Sequence, residues 1–291
     1  MPIPASDPIV VSPTPMPLHS DDSIDHDALA RNVEKWLKTP LSGFVVGSAG
    51  GEEFYLSEEE KIASVRTVAQ AHGGQRFVIG GIDNPSTTET LRLAERMAAA
   101  GAELIRVRIP KGGDVEEYFR EVTANCARPI IVIHQTFNAG MFAAPPEVIG
   151  AVCSMDNVFG YIFDHNLRFE SRVRRFIPHD RRFWTPNGTL LLPGALIGAN
   201  GACMFFGNWG PAIAVEIMKL GMAGKFTEAR EIQDKIIAVD YFGMTRGVAA
   251  LKEGLNMLGY EGTAQRRPTR PLNDAEKKVL RAALQEAGLL E

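Results

Sequence analysis

The chain alternates short runs of apolar residues with longer segments in which apolar positions return every three or four residues. The short runs are Ile9–Val11, Gly43–Val46, Arg76–Gly81, Leu104–Pro110, Pro129–His134, Val158–Phe163, Phe183–Trp184 and Gly201–Phe206. Runs of this length that stay apolar on both faces read as strands buried on both sides. The longer segments read as helices. Asp25 caps one over Ala28–Leu37, Ser57 and Glu60 form a capping box before Glu58–Ala71, and Ser86 opens one that runs to Ala100. Val115–Asn125, Pro146–Val152, Arg168–Phe176 and Leu190–Ile197 continue the alternation. Four more helices close the chain, at Ala212–Ala223, Phe226–Tyr241, Arg246–Leu258 and Asp274–Ala287.

Eight strands, each followed by helix and joined without a long linker, predict an α/β protein built as a (β/α)8 TIM barrel. The barrel is expected to span residues 1–225, with C-terminal helices 226–291 packed on it. In such a barrel the reactive groups gather at the C-terminal ends of the strands, so the pocket is expected there.

Composition narrows the partners. With 291 residues and 45% hydrophobic content the chain can bury a large core. A net charge of −4 and the lack of any basic run argue against nucleic acid. Cys126, Cys153 and Cys203 show neither metal spacing nor pairing logic, which suits a reducing, cytoplasmic setting. The proline-rich start, Met1–Pro17, lacks the features of a signal peptide, and no apolar run is long enough to span a membrane.

Several segments, in order, carry a resemblance. They are Ser23-Ile-Asp-His-Asp-Ala-Leu, Gly43-Phe-Val-Val through Gly51 and Glu52, and Leu56-Ser-Glu-Glu-Glu. Ala99-Ala-Gly-Ala-Glu, Leu192-Pro-Gly-Ala-Leu-Ile-Gly-Ala-Asn-Gly and Gly221-Met-Ala-Gly-Lys-Phe-Thr-Glu-Ala follow. Leu251-Lys-Glu-Gly-Leu-Asn-Met-Leu-Gly-Tyr and Arg270-Pro-Leu-Asn complete the set. Together they resemble the dihydrodipicolinate synthase / N-acetylneuraminate lyase family of barrel enzymes over almost the whole chain.

That resemblance implies a lyase acting on pyruvate or another 2-oxo acid through a lysine imine, assisted by a tyrosine, a threonine pair and an arginine. It also implies a homodimer or homotetramer. Carried over position by position, the lysine is Ile162, the tyrosine His134, the threonines Ala49 and Gly50, and the arginine Ala139. The interface tyrosine falls near Lys111 and Gly112. No lysine occurs between Lys111 and Lys219, so a shift of register cannot restore the imine on this strand. Non-covalent binding of pyruvate is expected to be weak on the same ground, because Ala49, Gly50 and Ala139 offer a carboxylate no side-chain donors.

The rim offers other chemistry. His134 and Asp164 are both expected to point inward and to serve as catalytic acid and base. Gly51, Glu52, Gln135, Ile162, His165, Asn187 and Asn208, with Ala49 and Gly50, are the expected binding set, and His19 is brought toward the same mouth. No cofactor is expected; a divalent metal in place of the lysine is an option without a recognisable ligand motif. Lys111 is a relocated imine lysine or a solvated loop residue. Arg106 and Arg108 alternate with Val107, and either clamp an anionic substrate or pair with acids in the helical layer. Gly47-Ser-Ala-Gly-Gly is a poor match to a phosphate cradle. Met16, Phe137, Met141 and Phe142 add apolar character to the mouth, and Trp209 is core or pocket wall.

Two function classes compete. One is a lyase performing aldol cleavage, hydration or dehydration of a small oxo or hydroxy acid without the imine, or an aldolase using Lys111. The other is a catalytically inactive homologue that binds a metabolite or partner.

Overall fold

The computed structural model describes residues 7–135 and 144–291. The strands are β1 (Ile9–Pro13), β2 (Gly43–Val46), β3 (Phe77–Ile82), β4 (Leu104–Arg108), β5 (Ile130–Ile133), β6 (Val158–Ile162), β7 (Arg182–Trp184) and β8 (Gly201–Cys203). All neighbouring pairs are parallel, and β1 pairs with both β2 and β8. A parallel bridge from Thr185 to Ala202 closes the ring between β7 and β8. The expected TIM barrel is therefore present.

Helices α1 (His26–Trp36), α2 (Glu58–His72), α3 (Thr87–Ala100), α4 (Val115–Asn125), α5 (Pro146–Cys153), α6 (Leu167–Val173), α7 (Leu191–Leu196) and α8 (Pro211–Met222) follow the strands in turn. The predicted caps form: Asp25, Ser57 and Ser86 accept backbone N–H groups in the first turns of α1, α2 and α3. Two cores result from the alternation of side chains along each strand. Ile79, Ile131, Ile133, Ile162 and Trp184 fill the barrel, while Val132, Tyr161, Phe163 and Phe183 pack outward under the helices.

The extension comprises α9 (Phe226–Arg246), α10 (Val248–Met257) and α11 (Asp274–Glu286). It grips the barrel mouth at two points. Asp240 of α9 accepts the N–H groups of Gly188 and Thr189 beyond β7, at 3.1 and 2.7 Å. Lys252 of α10 forms a fully buried ion pair with Glu52 in the loop after β2, at 2.7 Å. Trp209, of which the indole N–H reaches Leu251 O, is core between barrel and extension rather than pocket wall. No helix of the described residues is long and apolar enough to cross a membrane.

Candidate active site

A cavity of about 90 Å³ opens at the C-terminal ends of the strands. Ile133, Ile162, Cys203 and Phe205 give it an apolar floor; Ser48, Arg106, Gln135, Asp164, His165 and Asn187 supply polar groups. Such a volume holds several waters or one small metabolite. A larger hollow, about 160 Å³, lies at the opposite end of the barrel beside Ser42, Arg76, Phe77 and Glu103. Its polar groups are engaged by the scaffold. Arg76 donates to Leu37 O and Thr39 O, and Glu103 accepts from Val78 N. The upper cavity is the smaller of the two, but it is where titratable and hydrogen-bonding side chains converge.

Strand β6 organises the upper site. Ile162 points into the barrel and is 1% exposed, Phe163 packs outward, and Asp164 turns back to the cavity. His165 follows at the rim with a half-exposed ring. Its Nδ1 accepts from the Asn187 amide at 2.7 Å, and its Nε2 stands 3.8 Å from Asp164 Oδ1. Asp164 Oδ1 also accepts the backbone N–H of His165 at 2.6 Å. A carboxylate, an imidazole and an amide that orients the ring are thus in one line.

His134 borders the cavity, as expected, but its ring is engaged on the side of α6 rather than aimed at the centre of the barrel. Ile133 takes the inner position at the end of β5, and the His134 ring is turned into the wall toward α6, wholly buried against Phe169. Its Nδ1 lies 3.1 Å from Glu170 Oε1. Glu170 is a hub: it also accepts the Tyr161 hydroxyl at 3.0 Å and the backbone N–H of Asp164 at 2.9 Å. Burial pushes the Glu170 carboxyl above its ordinary range, against the opposing pull of His134 and the other donors. Burial, reinforced by the Glu170 charge, holds the Tyr161 phenol protonated.

Other expected binding residues belong to the scaffold. Glu52, in a left-handed conformation with φ 61°, is consumed by Lys252 and by the N–H of Arg266. Asn208 donates to Pro13 O at 2.8 Å and fastens the turn after β8 to β1. A side chain at Gly50 would strike Phe205 and Pro13, and one at Gly51 would strike Thr14 O. Close packing thus accounts for this glycine pair. Ala49, Gly50, Gln135 and Asn187 do line the cavity, whereas Gly51, Glu52, Asn208 and Lys111 do not. Lys111 is exposed in the loop beyond β4. Met16 is fully buried core rather than mouth, and His19 is exposed beside Asp25. Ala139, Phe137, Met141 and Phe142 lie outside the described residues.

Arg106 and Arg108 pair with the loop after β2 rather than with the helical layer. Glu53 bridges them, its Oε2 3.1 Å from Arg106 Nη2 and its Oε1 2.8 Å from Arg108 Nη2. Asp83 lies 2.9 Å from Arg108 Nη1. Among the described residues no three His, Cys, Asp or Glu side chains come together as a metal site.

The comparisons agree with this architecture. The dihydrodipicolinate synthetase family profile matches residues 9–287. The 4-hydroxy-tetrahydrodipicolinate synthase of Archaeoglobus fulgidus is 26% identical over 94% of this chain and 96% of its own. The N-acetylneuraminate lyase of Rhizobium meliloti is 27% identical over 92% and 91%. In three dimensions, the dihydrodipicolinate synthase of Cyanidioschyzon merolae superposes with a TM-score of 0.89 at 20% identity, covering 98% of this chain and 99% of that one. By its sequence and its closed eight-stranded barrel, this chain belongs to the dihydrodipicolinate synthetase family.

Proposed function

We propose that the protein is a lyase-type enzyme that acts on a small oxo or hydroxy acid without forming an imine, with Asp164 and His165 moving the proton. The observation that carries this reading is the convergence of Asp164, His165 and Asn187 on a cavity whose floor, at Ile162, has no amine. Carbon–carbon and carbon–oxygen lyases share one step. A base takes a proton from a hydroxyl or from the carbon beside the carbonyl, and the electron pair moves as the scissile bond breaks. His165 suits that exchange because its half-exposed ring reaches both cavity and solvent: Nδ1 takes the proton as the Asn187 amide gives way, and Asp164, beside Nε2, stabilises the imidazolium that forms. In a dehydration the same ring returns the proton to the departing hydroxyl, which leaves as water. Charge left on the carbonyl oxygen falls to donors of the mouth, the Gln135 amide among them.

His134 and Glu170 act one layer behind as positioning residues, because Glu170 Oε1 fixes the backbone of Asp164. Lys111 as an imine lysine is disfavoured by its place outside the cavity lining. A metabolite-binding homologue without turnover is the second reading, favoured by the way Ile162 fills the inner layer. The substrate class, a small oxo or hydroxy acid, and self-association as a homodimer or homotetramer rest on the family likeness.

The test is turnover on a panel of small oxo and hydroxy acids, with Asp164→Asn and His165→Ala alongside. Each substitution should reduce the rate by about 10²–10⁴-fold while the melting curve stays cooperative. Unchanged turnover in both variants removes the pair from the mechanism. Ligand-induced stabilisation without any turnover favours the second reading.

A further inference from the structure

Strand β4 places two arginines inside the barrel, and neither is required by the proton chemistry above. Arg106 is 2% exposed and lines the upper cavity. Its Nη2 donates to Gly47 O at 3.0 Å and to Glu53 at 3.1 Å, while its Nε is buried without a hydrogen-bond partner. Cys203 lines the same cavity from β8, on the far side of the barrel. The guanidinium thus reaches into the space between β4 and β8.

Two carboxylates hold this arginine pair: Glu53 bridges Arg106 and Arg108, and Asp83 meets Arg108 alone. A buried guanidinium with an unused N–H beside a cavity favours a bound anion, since an unmet charged donor costs free energy.

We propose that Arg106 is the anion receptor of the cavity, and that the carboxylate of a small oxo or hydroxy acid docks on its guanidinium. The proposal rests on the oxo or hydroxy acid reading of the site and names the group that recognises the acid. It implies that the ligand must carry the negative charge. A neutral ester of the same shape leaves Arg106 as it is in the empty cavity. Glu53 competes for the guanidinium, so ligand and Glu53 share it.

The experiment measures binding of pyruvate, 2-oxobutyrate and L-lactate, with methyl pyruvate as the neutral control, by ligand-observed NMR. The proteins are wild type, Glu53→Gln, Arg106→Lys and the charge-balanced double variant Arg106→Gln/Glu53→Gln, each checked by circular dichroism. Wild type should bind at least one acid in preference to the ester. The double variant should bind that acid about ten- to a hundredfold more weakly, the loss of one charge-assisted contact. Glu53→Gln alone should bind it several-fold more tightly, which a merely structural arginine does not produce.

A folded double variant that binds the acid as wild type does overturns the role of Arg106 and leaves the acid-binding reading intact. So does an ester bound as well as the acid. If the double variant does not fold, Arg106→Lys decides: unchanged affinity overturns the proposal, and about tenfold weakening supports it. Wild type binding none of the three acids overturns the acid-binding reading itself, and the role of Arg106 with it.

Discussion

Glu170 gives the site its most quantifiable weak point. Three donors converge on its carboxyl group: His134 Nδ1, the Tyr161 hydroxyl and the Asp164 N–H. All three residues are 2% exposed or less, so water cannot readily replace the carboxyl group. Each stripped donor costs about 1–3 kcal/mol, and the loss of a buried carboxyl offsets part of the sum. Glu170→Ala should therefore destabilise by about 3–5 kcal/mol, a large share of the ~5–15 kcal/mol of an ordinary domain. Glu170→Gln should cost only about 1 kcal/mol. Its amide oxygen can still serve His134 and Asp164, and the Tyr161 hydroxyl need only turn to accept.

The two variants also separate in pH. Burial raises the folded carboxyl above the ordinary glutamate value of 4.5, so the folded chain keeps a proton that the unfolded chain releases. That contribution to stability is complete below 4.5 and is lost as pH rises through the raised folded value. The stability of wild type relative to Glu170→Gln should accordingly fall from pH 4.5 upward, read as urea midpoints in matched buffers. A gap that widens with pH over that window would mean that the three hydrogen bonds outweigh burial, and would refute the reasoning.

Other consequences follow from the same contacts. Lys252→Met should cost about 3–5 kcal/mol because it leaves Glu52 charged and buried, and adding Glu52→Gln should restore most of it in thermal melts. His134→Ala should lower both turnover and melting temperature; full turnover on the protein's own substrate removes His134 from the mechanism. Light scattering should find a dimer or tetramer, since α9 leaves Ile237 and Tyr241 44% and 71% exposed along one face. Monomer alone at micromolar concentration contradicts that.

The barrel was legible because most strands are apolar on both faces and the early helices α1, α2 and α3 carry their own side-chain caps. The end of β8 was not. The apolar run Met204-Phe-Phe looks like more strand, but Phe205–Asn208 coil into a 3-10 turn so that Phe206 can enter the core and Asn208 can reach β1. The helix expected to stop at Tyr241 continues to Arg246, and the next begins only after Gly247, whose backbone breaks the axis. At the site, Asp164 and His165 were readable from their place just past β6. Glu170 carries a signal of its own, since it interrupts the apolar stripe Leu167, Val173 of a short helix with a carboxylate. The pairs Glu53–Arg106 and Glu52–Lys252 join residues 53 and 200 positions apart in sequence, and no local pattern encodes which arginine or lysine meets which acid.

The most direct measurement is imine trapping. The protein is incubated with pyruvate and with any oxo acid that it binds or turns over, reduced with borohydride, and weighed intact by mass spectrometry. No gain in mass is expected, because among the described residues no lysine lines the cavity and Ile162 occupies its floor. A gain equal to one reduced adduct would contradict imine-free chemistry, and its mapping to Lys111 would identify an aldolase with its lysine on the loop beyond β4.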